Sequence, residues 1–294
     1  MRLGNRSDVW WMPFACLLLS VFSVPGAWAR EAAVYERDVF RLVYEVEGAD
    51  AVPGTDINAN GIPDIVEDMA TQLAAAREAF EHLGFPDPLR SPRYAGTNGI
   101  VVTVRARSGM RGLHGRAFSL ANGARRFPGK WLKLQISTDT DPRRNPTPAH
   151  EYFHLVQYGQ SHFMNGWYLE GMARWAEDVV RHVPVPRGET KMSDRPGGYR
   201  AANLLWHPLA ADCGGPVALP PDMTEKYAYV DGTPVFVDAS INGPGVMRRV
   251  LSCLHERDSR DDVLALLLGN GSRSVAASEL AQECVREARR QCRP

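Results

Sequence analysis

The chain is 294 residues long, with 34 Lys+Arg set against 34 Asp+Glu. Balanced charge without a basic stripe or a polyanionic run gives no support to nucleic-acid or membrane-surface binding; the cluster Arg125-Arg126 with Lys130 and Lys133 reads as a solvated face. The length allows one large domain or two small ones, and no internal repeat divides it.

The N-terminus has the pattern of an export signal: Arg2 and Arg6, an apolar stretch over 10–24, and Ala27-Trp28-Ala29 as a small-x-small cleavage site. Residues 1–29 are therefore expected to be removed, the mature chain to begin at Arg30, and the protein to be secreted or periplasmic. The apolar run is too short and too early for a membrane span, and no later run is long enough to cross a bilayer. Cys16 lies inside it without the small flanking residues of a lipid-anchor site. No long propeptide precedes the first strand, so no folded N-terminal pro-domain is expected to hold the protein inactive.

Residues 39–47 alternate apolar and polar and predict a strand. Residues 56–67 then match the calcium-loop template D-x-[DN]-x-[DN]-G-x5-E at every defined position. In that template Asp56, Asn58 and Asn60 offer side-chain oxygens, Gly61 takes the sharp turn and Ile62 gives its backbone carbonyl. Asp64 fills the ninth position and Glu67 the twelfth, where bidentate ligation is expected. One structural Ca2+ is the expectation, and a well-capped turn without metal is the plainer alternative. An Ala-rich helix follows over 65–83, ending near Gly84 and Pro86; no strong helix precedes the loop, so it is not a paired EF-hand. Strands are predicted over 100–107 and 131–137, with the Gly/Arg-rich 108–116 between them as a surface loop.

The most informative stretch comes next. Thr147 is a good N-cap and Pro148 suits the first helical position, so a helix starts just before His150-Glu151-Tyr152-Phe153-His154. Residues four apart share a helix face, so His150 and His154 can present two imidazoles to one Zn2+, with Glu151 beside them to act on its water as general base. A second helix carries Trp167-Tyr168-Leu169-Glu170-Gly171, placing a carboxylate in an otherwise apolar run. A buried unpaired carboxylate is costly, so Glu170 is expected to face a cation and to be the third zinc ligand. Glu177, two turns on, could be the third ligand instead; its preferred role is to accept the free N–H of a ligand histidine, with a solvated helix charge as the equal alternative. The competing reading is an amphipathic surface helix whose histidines hold no metal. Gln157 and Tyr158 are read as supporting the helix, His162 as lying off the shared face, and Trp167 and Trp175 as core.

Residues 184–234 are Pro/Gly-rich with little period, a long irregular segment that suits the wall of a substrate cleft. Helical period returns near 246–255, 261–268 and 276–290. Without Cys16, four cysteines remain, Cys213, Cys253, Cys284 and Cys292, which in an exported chain read as two disulfides. No C-x-x-C pair favours zinc ligation by them. Cys284 and Cys292 are too far apart to bridge along one helix, so each is expected to reach Cys213 or Cys253, with the pairing left open.

The motifs H-E-x-x-H at 150–154 and W-x-x-E-G-x-A at 167–173 resemble those of the gluzincin metallopeptidases. A closer resemblance is to a group of secreted bacterial metallopeptidase-like proteins with D-x-N-x-N-G-x-P-D, A-H-E-x-x-H-x-x-Q and W-x-x-E-x-x-A-x-W-x-E-D segments. These stand here at 56–64, 149–157 and 167–178, so the resemblance covers about 39–178. It implies hydrolysis of peptide bonds in a polypeptide substrate and a strand before the zinc helix, 131–137, that pairs with extended substrate. It also implies a Tyr or His beyond the third ligand as oxyanion donor, with Tyr227 and Tyr229 as candidates and Tyr199 and His207 behind them. Two other classes stay open: a secreted calcium- and zinc-binding module without turnover, and a zinc hydrolase of a non-peptide amide or ester. The expected fold is α+β and monomeric. An N-terminal mixed α/β lobe (30–146) carries a small sheet and the calcium loop, and a mostly helical lobe (147–294) carries the zinc site and the disulfides.

Overall fold

Two short strands, β1 (Ala33–Arg37) and β2 (Phe40–Tyr44), pair antiparallel through a two-residue turn in which Asp38 takes a φ of 52°. The computed structural model describes residues 32–110, 113–124, 126–180, 202–266, 268 and 271–292, all in the unit Ala32–Pro294. The export-signal pattern and Tyr199 lie outside the described residues.

The fold is α+β. A five-stranded mixed sheet has the order β1-β2-β3-β5-β4. The central strand β3 (Thr97–Arg105) runs parallel to β2 and to β5 (Phe127–Ser137). Its segment Ile100-Val101-Val102 is buried throughout, the pattern of a strand covered on both faces. At one edge β4 (Gly115–Ala124) pairs antiparallel with β5. This strand was not foreseen; Gly115, Asn122 and Gly123 interrupt it and leave only Phe118 and Leu120 as large apolar residues. Its presence corrects the role expected of 131–137: β5 has strands on both sides, and the edge strand on this side of the sheet is β4.

Helix α1 (Asp64–His82) lays an alanine-rich face against α2; Ala70, Ala75, Ala76 and Ala79 are fully buried, and small side chains allow a close approach. It stops where Gly84 adopts a φ of 81° and Gly84 N and Phe85 N donate to the carbonyls of Glu81 and Phe80, the paired bonds that satisfy a helix C-terminus. Helix α2 (Thr147–Gln160) is buried on nearly every side, from Pro148 through Gln157. It is therefore a core helix and not an amphipathic surface one. Its side-chain cap also differs from expectation: Asn145 Oδ1 accepts from Thr147 N and Thr147 Oγ1, at 3.0 and 2.6 Å, and Thr147 is the first helical residue. At the other end Arg93 donates to the carbonyls of Tyr158 and Ser161, a cation on the negative end of the helix. Phe80, Phe85, Phe153 and Trp175 pack mostly edge to face between α1, α2 and α3 (Gly166–Ala176), with Tyr152 stacked on Phe80.

Beyond α3, the segment predicted as irregular contains a π-helical turn (Ala202–Trp206) that runs into α4 (His207–Cys213), then β6 (Pro216–Ala218) and α5 (Pro221–Lys226). The Trp206 ring stacks on Trp167 at 5.9 Å, and its indole N–H donates to Trp167 O. β6 pairs with β7 (Ser240–Asn242), and α6 (Pro244–Asp258), α7 (Asp261–Leu266) and α8 (Val275–Arg290) complete the order. The cysteines fall into two pairs, Cys213–Cys292 and Cys253–Cys284, with Cα separations of 4.9 and 5.5 Å. The second ties α6 to α8. One hydrophobic core runs through the sheet and the helical half. Among the described residues no helix is long and apolar enough to cross a membrane.

Candidate metal centre

The four-residue spacing on α2 brings the rings of His150 and His154 to 4.7 Å, nearly perpendicular. Helix α3 carries Glu170 across to them. Its Oε2 lies 3.3 Å from His150 Nε2 and 3.6 Å from His154 Nε2, and one ligand atom from each residue lies within 4.8 Å of the others. The three form a group that can hold a metal ion, as expected from the sequence.

The outer nitrogens fix the chemistry of the inner ones. Gln157 Nε2 donates to the carbonyls of Tyr168 and Leu169, which only an amide NH2 can do, so its Oε1 faces His154 Nδ1 at 2.8 Å and accepts from it. Glu177 Oε1 stands 2.9 Å from His150 Nδ1, the role foreseen for it. With both Nδ1 atoms as donors, the neutral imidazoles turn bare lone pairs inward from Nε2. Two lone pairs and a carboxylate oxygen then converge with no hydrogen to share, an arrangement that attracts a cation. Burial alone would raise the pKa of Glu170; a proton on His150 or His154 facing its Oε2 outweighs burial and holds the carboxyl well below its ordinary range, and a metal cation can take the place of that proton. The part played by Gln157 was missed; the available signal was its place three residues after His154, on the same face.

Glu151 is buried and turns toward β4. Burial raises its pKa, the histidines oppose this, Glu170 adds to it, and the backbone N–H of Ala117 donates to the carboxylate. The strand can pass this close only because residue 115 is glycine: a Cβ there would stand 2.5 Å from Thr147 Cγ2 and 2.6 Å from Glu151 Cγ and Oε1. Gly115→Ala is expected to retain the metal group while pushing the Glu151 carboxylate off the Ala117 N–H. Metal stoichiometry unchanged beside a hydrolytic rate down by roughly 100-fold is the expected outcome, since a displacement near 1 Å suffices for that loss. Activity equal to wild type would show that this contact does not position Glu151.

A cleft of about 660 Å3 opens over the group, lined by the first half of β4, by Ser272 and Arg273, and by Glu151, His154, Tyr158 and Glu170. The proposed oxyanion donors do not line it. Tyr227 donates its hydroxyl to Glu78 Oε2 at 2.6 Å, and Tyr229 donates to Pro142 O while accepting from Gln72 Nε2. Both phenols are spent against α1, because the chain after α5 returns to that side of the molecule. His207 pairs with Asp178 at 3.3 Å and does not line the cleft. The phenol that does is Tyr158, whose ring stacks on His154 at 5.8 Å. Its position, four residues after His154, was the signal. His162 is held by Asp258 at 2.8 Å, away from the group.

The 56–67 loop is organised by its own bonds. Asp56 accepts from Asn60 N and Gly61 N, and Asn58 and Asn60 turn their amides to the two Glu67 oxygens at 3.1 and 2.9 Å. Ala59 and Gly61 take φ of 55° and 84°, giving the tight turn the template requires. Asp64 Oδ1 accepts from Ile57 N, and its buried Oδ2 has no hydrogen-bond partner. Asn58, Asn60 and Glu67 thus face one small volume, but no calcium site is defined.

Comparison of the chain with protein families, with curated proteins and with solved structures finds no match. The chemistry must therefore be argued from the site itself.

Proposed function

We propose that this protein is a secreted zinc metallopeptidase of the gluzincin type. The observation that carries the reading is the convergence of two imidazole lone pairs and the Glu170 carboxylate in a cleft that also holds Glu151. Zinc is favoured because a tetrahedral ion with N and O ligands at ~2.0–2.1 Å spaces them ~3.3 Å apart, against 3.3 and 3.6 Å between Glu170 Oε2 and the two Nε2 atoms. Two His, one Glu and room beside them form a catalytic rather than a closed structural set.

His150, His154 and Glu170 would hold the ion, which when bound supplies Lewis acidity toward a water and a scissile carbonyl. Glu151 takes the proton of that water and delivers it to the departing amine; its burial favours a carboxylate that can keep the proton between the two transfers. Tyr158 presents a hydroxyl to the oxyanion as it develops. β4, with its unpaired edge along the cleft, can take an extended polypeptide as an added strand. The export pattern and two cysteine pairs at disulfide distance support secretion.

The deciding experiment measures metal content and casein hydrolysis of the purified mature protein. One zinc per chain, with hydrolysis abolished by a chelator and restored by zinc, is expected. Zinc without hydrolysis of casein or of a peptide library would leave a metal-binding module, and a metal-free protein that zinc does not load would remove the site.

We also propose that the 56–67 loop binds one structural calcium through Asp56, Asn58, Asn60, the Ile62 carbonyl, Asp64 and Glu67. The template match and the shared inner volume support it. Millimolar calcium is then expected to raise Tm by several degrees, from ~2–3 kcal/mol at 100-fold saturation. Asp56→Ala should abolish that response; an equal rise in the variant would exclude the loop.

A further inference from the structure

Helix α1 is alanine-rich where it meets α2, yet Asp64, Asp68 and Gln72, spaced one turn apart, are buried along it at 1, 0 and 1 % exposure. Burying a polar group is costly unless it is hydrogen-bonded, so the partners of these three locate what the ridge holds. All three reach the connection that leads into the metal helix. Asp68 pairs with Arg143 at 2.7 Å, and Asp64 approaches the same guanidinium at 3.9 Å. Gln72 goes further, to the helix itself.

The orientation of the Gln72 amide follows from its partners. Its Nε2 donates to Pro142 O at 2.7 Å and to the Tyr229 hydroxyl at 2.8 Å, with Asn145 O at 3.4 Å; a carbonyl only accepts, so this end is the NH2. Its Oε1 then accepts from Ala149 N at 3.3 Å. One amide thus grips the chain before α2 and the first turn inside it. Ala149 is fully buried and immediately precedes His150. The first N–H groups of a helix have no partner within it. Here Asn145 Oδ1 takes the N–H of Thr147, Pro148 has none, and Gln72 takes that of Ala149, while His150 N donates to Pro146 O. The turn that carries His150 and Glu151 is therefore closed by a residue of another helix, and Gln72 itself does not line the cleft.

We propose that Gln72 is a positioning residue for the metal centre. By capping the Ala149 N–H while holding Pro142, it fixes the backbone from which His150 projects, so that zinc meets a ligand already in place. This deepens the metal-centre reading and rests on it, but not on peptide hydrolysis. Tyr229 gains a place as well: its hydroxyl donates to Pro142 O as it accepts from Gln72, bracing the donor end of the amide without reaching Ala149.

The test compares zinc affinity, by competition with a chromogenic chelator, in wild type, Gln72→Met and Tyr229→Phe, each well below its unfolding temperature. Methionine keeps the length of the side chain and loses both ends of the amide. Gln72→Met is expected to bind zinc roughly tenfold more weakly at unchanged far-ultraviolet circular dichroism, the lower end of what losing a residue that orients a metal ligand costs. Tyr229→Phe removes a buried hydroxyl but leaves the Ala149 contact, so it should lower Tm and keep the zinc affinity of wild type. A merely structural Gln72 would leave both variants less stable and neither weaker for zinc. Wild-type zinc affinity in Gln72→Met, or an equal loss in Tyr229→Phe, overturns the proposal. Should Gln72→Met fail to fold, amide hydrogen exchange of the metal-free wild type takes its place. Ala149 and His150 are then expected to exchange as slowly as Phe153 in the middle of α2, and fast exchange at both overturns the proposal. A wild type that takes up no zinc removes the metal centre, and the exchange measurement still decides whether Gln72 holds the turn.

Discussion

Glu151→Gln is expected to lower hydrolysis by about 100- to 10,000-fold while leaving one metal ion per chain, the range that a positioned general acid–base contributes. The substitution is nearly isosteric, so the approach of β4 over Gly115 is preserved, and the amide oxygen still accepts from Ala117 N–H. What is lost is the proton acceptor. Glutamine cannot take a proton from water or return one to an amine. The check is a pair of measurements on the same sample: metal by elemental analysis, and the single-turnover rate on a peptide. A variant that keeps its metal and hydrolyses within tenfold of wild type would remove Glu151 from the chemistry. The metal group would then need another base, and His150 and His154 are both committed through Nδ1 and Nε2.

His150→Ala is expected to have the second largest effect, and on two observables at once. Removing one of three ligands should abolish stoichiometric metal at micromolar free zinc, and activity with it. It also deprives Glu177 of its 2.9 Å donor in a site where the residue is only 3 % exposed, with Arg174 at 3.1 Å among the partners it keeps. Stranding a buried hydrogen-bonded carboxylate in this way costs about 1–3 kcal/mol, and chemical denaturation of the metal-free proteins would read it. His154→Ala, whose outer partner Gln157 is neutral, should lose metal equally but lose less stability. Equal stability losses would show that the Glu177 contact is not what destabilises His150→Ala.

The site was more legible in the sequence than the sheet that borders it. Helical spacing alone puts His150 and His154 on one face, and an acidic residue within Trp-Tyr-Leu-Glu-Gly marks Glu170, because both signals are local. The strands over 100–107 and 131–137 were readable from β-branched runs, and the terminal helices from their period. β4 was not, since Gly115, Ser119, Asn122 and Gly123 interrupt its apolar pattern and its place is set by pairing with β5. Tyr227 and Tyr229 failed for a related reason. Which phenol enters a cleft depends on the path of a connection, and here that path leads both hydroxyls to α1, to Glu78, Gln72 and Pro142. Tyr158 and Gln157 were within reach of helix arithmetic, three and four residues beyond His154, but had been assigned to support. Cysteine pairing needed the structure as well: one-helix reach excludes Cys284–Cys292, and only the packing of α6 on α8 selects Cys253 for Cys284.

Gln157 joins two parts of the site usually considered apart. Its oxygen orients the second imidazole, and its nitrogen grips the carbonyls of Tyr168 and Leu169, the two residues that immediately precede Glu170. One amide bridging two helices thus fixes the distance between His154 and Glu170. The site is a mould rather than a hinge. Stripping the ion should leave the far-ultraviolet and near-ultraviolet spectra unchanged, and reloading should follow a simple bimolecular course without a slow conformational phase. Gln157→Leu would convert the mould into a site that the ion must assemble, visible as a lag on reloading.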